Sequence, residues 1–338
     1  MSQRMLAIIA LIAFVVLVMG VALTGGKLGL GDAPTRVSFQ IATGTTEGVY
    51  FPVGQALAGL ISHPPGVGRC DTATVCGPAG VVLSARTSLG GADNIRDVNS
   101  GLVDSGFADG DALAAAVAGR SPFRRRASHL RVIAPLFPEP VHLVVASSAP
   151  VQAVTDLRGR RVFLGPANSI GVTRSRAILS AYRVRVREVV SDELPAALLK
   201  AGKIDAYFST AGVPLDSIRE LLAAHQARLV PIDGEGRERL LLKGPYLSLM
   251  VIPAGSYPGT DTVETVGTRA WWFTRDGESD PLIYGLTRAL FNPANHGGLS
   301  ASHPSAQAIG LDRVISNPPA PIHPGAARFY REVGQPGY

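Results

Sequence analysis

Residues 41–61 read "IATGTTEGVYFPVGQALAGLI", and the fold class turns on how this stretch is parsed. An apolar, strand-like start runs through a loop of Gly, Thr and Glu into a segment where Tyr50, Val53, Leu57 and Leu60 recur at helical spacing. Pro52 falls in the first turn of that helix, where a missing N–H costs nothing. Strand, small-residue loop and helix N-terminus together form an anion cradle. No Lys follows the glycines as in a P-loop, and no Ser or Cys stands at a nucleophile elbow. The loop is built to hold something, not to react with it.

The same grammar recurs along the chain. "GGADNIRDVNSG" opens a helix after two glycines, with Ile95 and Val98 on one face. "RRVFLGPANSIGVTRSRAIL" gives a strand (Val162 to Leu164), a loop, then a helix with Ile170, Ala177, Ile178 and Ala181 inward. "KIDAYFSTAGVPLDSIRELL" gives a strand (Ile204 to Phe208), a loop, then a helix using Leu215, Ile218, Leu221 and Leu222. In open α/β sheets ligands bind beyond the carboxyl ends of strands. Two units precede the Pro-rich "APLFPEP" (134–140) and two follow it, so that run reads as a crossing between two lobes. A return crossing is expected between Pro231 and Val251, and "DPLIYGLTRALF" is the best helix of the last segment. The expected architecture is two α/β lobes facing each other across a ligand cleft, preceded by an N-terminal hydrophobic helix. Its divisions are 1–23 (signal peptide or anchor helix), 24–35 (Gly-rich linker), 36–138 plus 246–338 (first lobe) and 139–245 (second lobe). Several helix N-termini, each worth about half a positive charge, can neutralise a carboxylate in such a cleft without Lys or Arg.

Composition agrees with a chain that has real cores: 338 residues, 46% hydrophobic and 17% charged, so it is neither disordered nor a coiled coil. A net charge of +6 without a basic, aromatic-interleaved patch argues against nucleic-acid binding. Met5 to Leu23 carries no charge and is long enough to span a bilayer, with Arg4 before it favouring a cytoplasmic N-terminus. The stretch reads as an export signal, either an uncleaved anchor or a removed peptide, which places the rest of the chain in the periplasm or another extracytoplasmic space. Cys70 and Cys76 are the only cysteines. In an oxidising space they read as a disulfide worth about 2–3 kcal/mol in the chain-entropy model, the alternative being two buried thiols. No metal-ligand spacing, Ser-His-Asp order or pair of catalytic carboxylates stands out, so neither metal, cofactor nor enzyme activity is expected.

These segments resemble the TAXI-type extracytoplasmic solute receptors of tripartite ATP-independent periplasmic (TRAP) transporters. Beside 41–61, the resemblance rests on "SLGGADNIRDVNSG" from Ser88, "VHLVVASSAPVQAVTDLRGRRVFLGPANS" from Val141 and "GKIDAYFSTAGVPLDSI" from Gly202. It continues in "VIPAGSYPGTDTVETVG" from Val251, "HPSAQAI" from His303 and "PIHPGAARFYREVG" from Pro321. It implies a two-lobed periplasmic binding protein of the type II-like class that captures a small carboxylate-bearing solute and delivers it to TRAP permease subunits in the membrane. The implied solutes are amino acids, dicarboxylates or keto acids. The implied ligand-binding residues are Thr43, Gly44, Thr45 and Tyr50 in the first loop, Ser88 and Asn94 in the second motif, Gly165, Ser169 and Thr173 in the third, and Thr210 and Gly212 in the fourth.

Two departures bear on the ligand. "GLVDSGFADGD" puts Asp109 and Gly110 where relatives carry Gln-Ser, and Glu47 stands where a small residue is usual. Two extra carboxylates near the cleft would repel a dianion. Either they point outward, or the ligand carries an ammonium group or is less acidic than a dicarboxylate. Tyr50 and Asp109 both read as ligand contacts, each with a plainer alternative, a packed aromatic and a turn cap, and Arg174 and Arg176 read as surface arginines that can also pair a carboxylate. Arg183 to Arg187 reads as an edge strand with a solvated face, and Phe123 to Arg131 as a basic surface run. His303 and His323, each before Pro, mark boundaries. The rival function is a membrane-tethered sensor or scaffold on the same fold; a periplasmic enzyme is a distant third.

Overall fold

The computed structural model describes residues 37–71, 74–311 and 317–335. In chain order the strands are β1 (Val37–Ala42), β2 (Val81–Arg86), β3 (Ser105–Asp109), β4 (Leu130–Ala146), β5 (Arg161–Gly165), β6 (Arg187–Val190), β7 (Ala206–Thr210), β8 (Ala227–Val230), β9 (Ser248–Ile252) and β10 (Val263–Arg275). The helices that matter are α1 (Tyr50–Ile61), α2 (Gly91–Ser100), α3 (Gly110–Ala118), α4 (Ile170–Ala181), α5 (Pro195–Lys200), α6 (Asp216–Ala223), α7 (Gly234–Leu241), α8 (Asp280–Leu290), α9 (Pro293–Ser302) and α10 (Pro324–Glu332). The N-terminal apolar stretch and its linker lie outside the described residues. Among the described ones no helix is long and apolar enough to cross a membrane.

Two long strands decide the architecture. The first part of β4 pairs antiparallel with β10, which also pairs with β3; β3, β1 and β2 then continue in parallel. From Val141 onward β4 changes partners to β7 and β8, and β7 leads on to the parallel strands β5 and β6. The chain thus builds two sheet regions joined by β4 and β10. The prolines of "APLFPEP" lie inside β4, where Pro135, Pro138 and Pro140 face Trp271, Arg269 and Gly267 of β10. Among the described residues no other strand pairs with the far side of β4 over that stretch, and just before it an isolated bridge links Val132 to Ile322. A strand edge is where a residue without an N–H is tolerated.

Each half encloses its own core. Alternation in β1 buries Phe39 and Ile41, while α1 buries Val53, Leu57 and Ile61 at spacings of three and four. They join Phe107, Phe137, Trp271 and Trp272 in the first core. Two further clusters cover the two faces of the second sheet, one around Leu143, Leu164 and Ile178, the other around Phe163, Tyr207 and Ile218. The latter includes Ile252 and Tyr257, so the chain stays with the second half beyond residue 246, where the sequence reading returned it to the first. Both adjacent tryptophans are buried: the turn from strand face to strand face puts each against a covered side of β10. The strand expected over Arg183 to Arg187 begins only at Arg187, because Arg183 takes a left-handed turn after α4. Ala177, expected inward on α4, is exposed. His303 and His323 cap the helical turns that follow them, each accepting a backbone N–H through Nδ1 at 3.1 Å. Cys70 and Cys76 are joined in a disulfide.

Candidate ligand cavity

Between the two halves lies a cavity of about 1200 Å3. Its wall takes Gly44, Thr45 and Tyr50 from the first loop, Gly90 and Gly91 from the start of α2, Gly165 and Ser169 from the loop before α4, and Thr210 from the end of β7. The wall is therefore made of strand ends and first helical turns. Neither Val49 before α1 nor Gly90 before α2 supplies a side-chain cap, while the Gly90 N–H itself donates to Ser88 Oγ at 3.1 Å. Ser169 does cap α4, accepting from the Val172 N–H. Gly165 has φ +138, and a Cβ there would meet Ser169 Oγ at 2.9 Å, so only glycine turns the chain from β5 into this loop.

Other residues named by the sequence build the wall from behind. Thr43 is fully buried and its Oγ1 donates to the Arg86 carbonyl. Asn94 donates through Nδ2 to the carbonyls of Thr43 and Phe107, at 2.6 and 2.8 Å, and Ser88 Oγ donates to the Thr43 carbonyl. These three fix the first loop without lining the cavity. Thr173 is half-buried on α4 outside the lining, and Gly212 packs against Ser305 and Val49. Glu47 is exposed and outside the lining; Asp109 is inside it.

The floor is the most charged part. Tyr50, packed edge-on against Phe107 with centroids 5.8 Å apart, brings its Oη to 2.9 Å from Asp109 Oδ1 and 2.9 Å from Glu139 Oε2. Arg174, reaching over from α4, donates Nε and Nη2 to Asp111 at 2.9 and 2.6 Å, and Nη2 also to Asp109 at 2.6 Å. A phenol has one hydrogen, so its two carboxyl contacts require a proton on one of those carboxyls. Asp109 faces the guanidinium, which leaves the proton to Glu139. The electrostatics agree. Burial, then the charge of Asp109, pushes Glu139 well above the usual carboxylate range. Burial also acts to raise Asp109, but Arg174 and the hydrogen bonds outweigh it and hold the group low. Burial, then both carboxyls, raises the Tyr50 phenol.

Sequence reasoning passed over Glu139, hidden in a run read as a connection, and weighed Arg174 mainly as a surface residue. A signal for Arg174 existed: it stands on the inward stripe of α4 with Ile170, Ile178 and Ala181, where a charge needs a partner. Nothing local marked Glu139, because its partners come from three other elements. Near the mouth, Arg96 pairs with Asp93 and donates to the Asn168 carbonyl of the other half at 3.1 Å, while Arg124 to Arg126 stand exposed.

Two sheet regions joined by crossing strands around such a cavity define the periplasmic solute-binding-protein fold. The chain superposes on MatC from Rhodopseudomonas palustris, a structure with bound malate, with a TM-score of 0.52 and 15% identity over 89% of this chain and 97% of that one. It is also similar to XAC2383 from Xanthomonas citri bound to chloride ion (TM-score 0.48, 11% identity, 88% and 95% covered). A TctC solute-binding protein from Polaromonas gives a TM-score of 0.46 and 14% identity, with 80% and 89% covered. The chain belongs to the NMT1-like family, whose model matches residues 41–334.

Proposed function

We propose that this protein is an extracytoplasmic solute receptor that captures a small carboxylate-bearing solute between its two halves and delivers it to a membrane permease. The observation that carries the reading is the cavity between the halves, walled by the uncapped first turns of α1 and α2 and the Ser169-capped start of α4. Backbone N–H groups and the positive ends of helices favour a carboxylate there. The malate in MatC is consistent with that class of solute. Sequence motifs point more finely to a TAXI-type receptor working with TRAP permease subunits, and residues 5–23 to export or anchoring. The halves act as lobes that close on the ligand, with β4 and β10 as the connection.

A thermal-shift screen of the full chain in mild detergent tests this, with mono- and dicarboxylates, keto acids, and acidic and neutral amino acids. A true ligand at a hundred times its Kd adds about 2.7 kcal/mol of stability. Tyr50→Ala and Ser169→Ala should each weaken that ligand at least tenfold, about 1.4 kcal/mol. Silence across the whole panel from a well-folded sample, or parent-like binding by both variants, would overturn the assignment and favour a tethered scaffold.

A further inference from the structure

The cavity floor holds two carboxyl groups, Asp109 and Glu139, and one guanidinium that also binds Asp111 outside the lining, and their arrangement bears on which solute can enter. Arg174 has only 3% of its side chain exposed and spends Nε and Nη2 on Asp111 and Asp109. Its Nη1 hydrogen bonds to none of the described residues, and Arg174 forms part of the cavity lining. Glu139, 2% exposed, also lines the cavity and holds the proton that the Tyr50 geometry requires. Two aspartate carboxyls share this one guanidinium, so acidic groups outnumber basic ones around Arg174. The N-terminus of α3, which begins at Gly110 between the two aspartates, offsets only part of that excess. The floor therefore offers one hydrogen-bond donor, Arg174 Nη1, without the positive charge that normally accompanies an arginine.

Resting on the cavity being a carboxylate receptor site, we propose that this floor sets the receptor's specificity. Arg174 Nη1 receives a neutral acceptor of the solute, an amide, keto or hydroxyl oxygen, and the floor refuses a second carboxylate. The solute is then a monoanion whose single carboxylate lies at the helix N-termini. A carboxylate brought to Arg174 would face Asp109 and Asp111 as well, and like charges in a buried site repel strongly. An uncharged oxygen meets no such penalty at this donor.

Matched probes separate the two cases: glutarate with glutaramate, succinate with succinamate, and glutamate with glutamine, titrated calorimetrically into the full chain in detergent at neutral pH. The amide member of at least one pair should bind at least tenfold tighter than its diacid. Asp109→Asn and Asp111→Asn each remove one negative charge while keeping the shape, and either should raise diacid affinity about tenfold and erase the preference. Diacids binding as tightly as their amides in every pair, or an unchanged preference in both folded variants, would overturn the specificity proposal and leave the receptor reading standing. If no acid or amide in the screening panel or these pairs binds, both fall together.

Discussion

At the scale of single residues, two buried groups titrate in opposite senses. Glu139 keeps its proton in the folded chain to a higher pH than it would unfolded. Its contribution to stability is full below the ordinary glutamate range and is lost as pH rises through the raised folded value. Denaturant melts between pH 5 and 9 should show Glu139→Gln, neutral throughout, gaining on the parent as pH rises. A constant gap would mean that Glu139 is ionised throughout. His142 behaves the other way. It is fully buried, 2.9 Å from Tyr257 Oη, and burial lowers its pKa from 6.5 to about 4. Below pH 6.5 the unfolded chain takes up a proton that the folded chain refuses, so stability falls from there down to about pH 4. The loss is roughly 3 kcal/mol for a shift of this size. His142→Gln should flatten that part of the profile in the same melts; an equally steep fall in the variant would assign it to other groups.

At the scale of elements, close approach does what side-chain volume cannot. Helix α10 sits on α8 through Gly325, where an added Cβ would fall 2.3 Å from the Asp280 carbonyl oxygen and 2.9 Å from the Tyr284 nitrogen. Backbone cannot yield there as a flexible side chain would, so Gly325→Ala should cost about 1–3 kcal/mol. A shift in the urea midpoint at unchanged slope is the expected signature, and a parent-like midpoint would show that α10 can move off without loss. Helix α4 makes the complementary point. Its apolar stripe was legible from Ile170, Ile178 and Ala181, yet the stripe also contains Arg174, whose place is stable only because Asp109 and Asp111 arrive from the other half. Removing one partner of a buried pair typically costs about 3–5 kcal/mol.

For the whole molecule, the decisive feature is that β4 and β10 run through both halves, while further contacts between the halves lie at the cavity and, outside it, where His303 and Ser305 bond the Pro214 and Val213 carbonyls. Arg174 with Asp109 and Asp111 joins them at the floor, and Arg96 with the Asn168 carbonyl joins them near the mouth. If the halves work as lobes, a ligand should strengthen that bridging. Small-angle scattering should record a smaller radius of gyration with saturating ligand than without, and Arg96→Ala should widen the free form while sparing the fold. Identical scattering curves with and without a bound ligand would mean a preformed cavity that does not close.

The sequence by itself determined the repeated strand–loop–helix units, their small-residue loops and the cysteine pair, because each is written in local spacing and in residue types with strong backbone preferences. It also carried the places of Tyr50, Asp109 and Ser169, which stand where a strand ends or a helix begins. What only the tertiary structure decided is the polar floor and the strand crossings. Glu139 owes its proton to a tyrosine and an aspartate brought from 89 residues away and from the end of β3. The prolines of β4 owe their tolerance to lying at an edge that no stretch of sequence announces. Burial and charge pairing are properties of the assembled molecule, and they set the protonation of the floor.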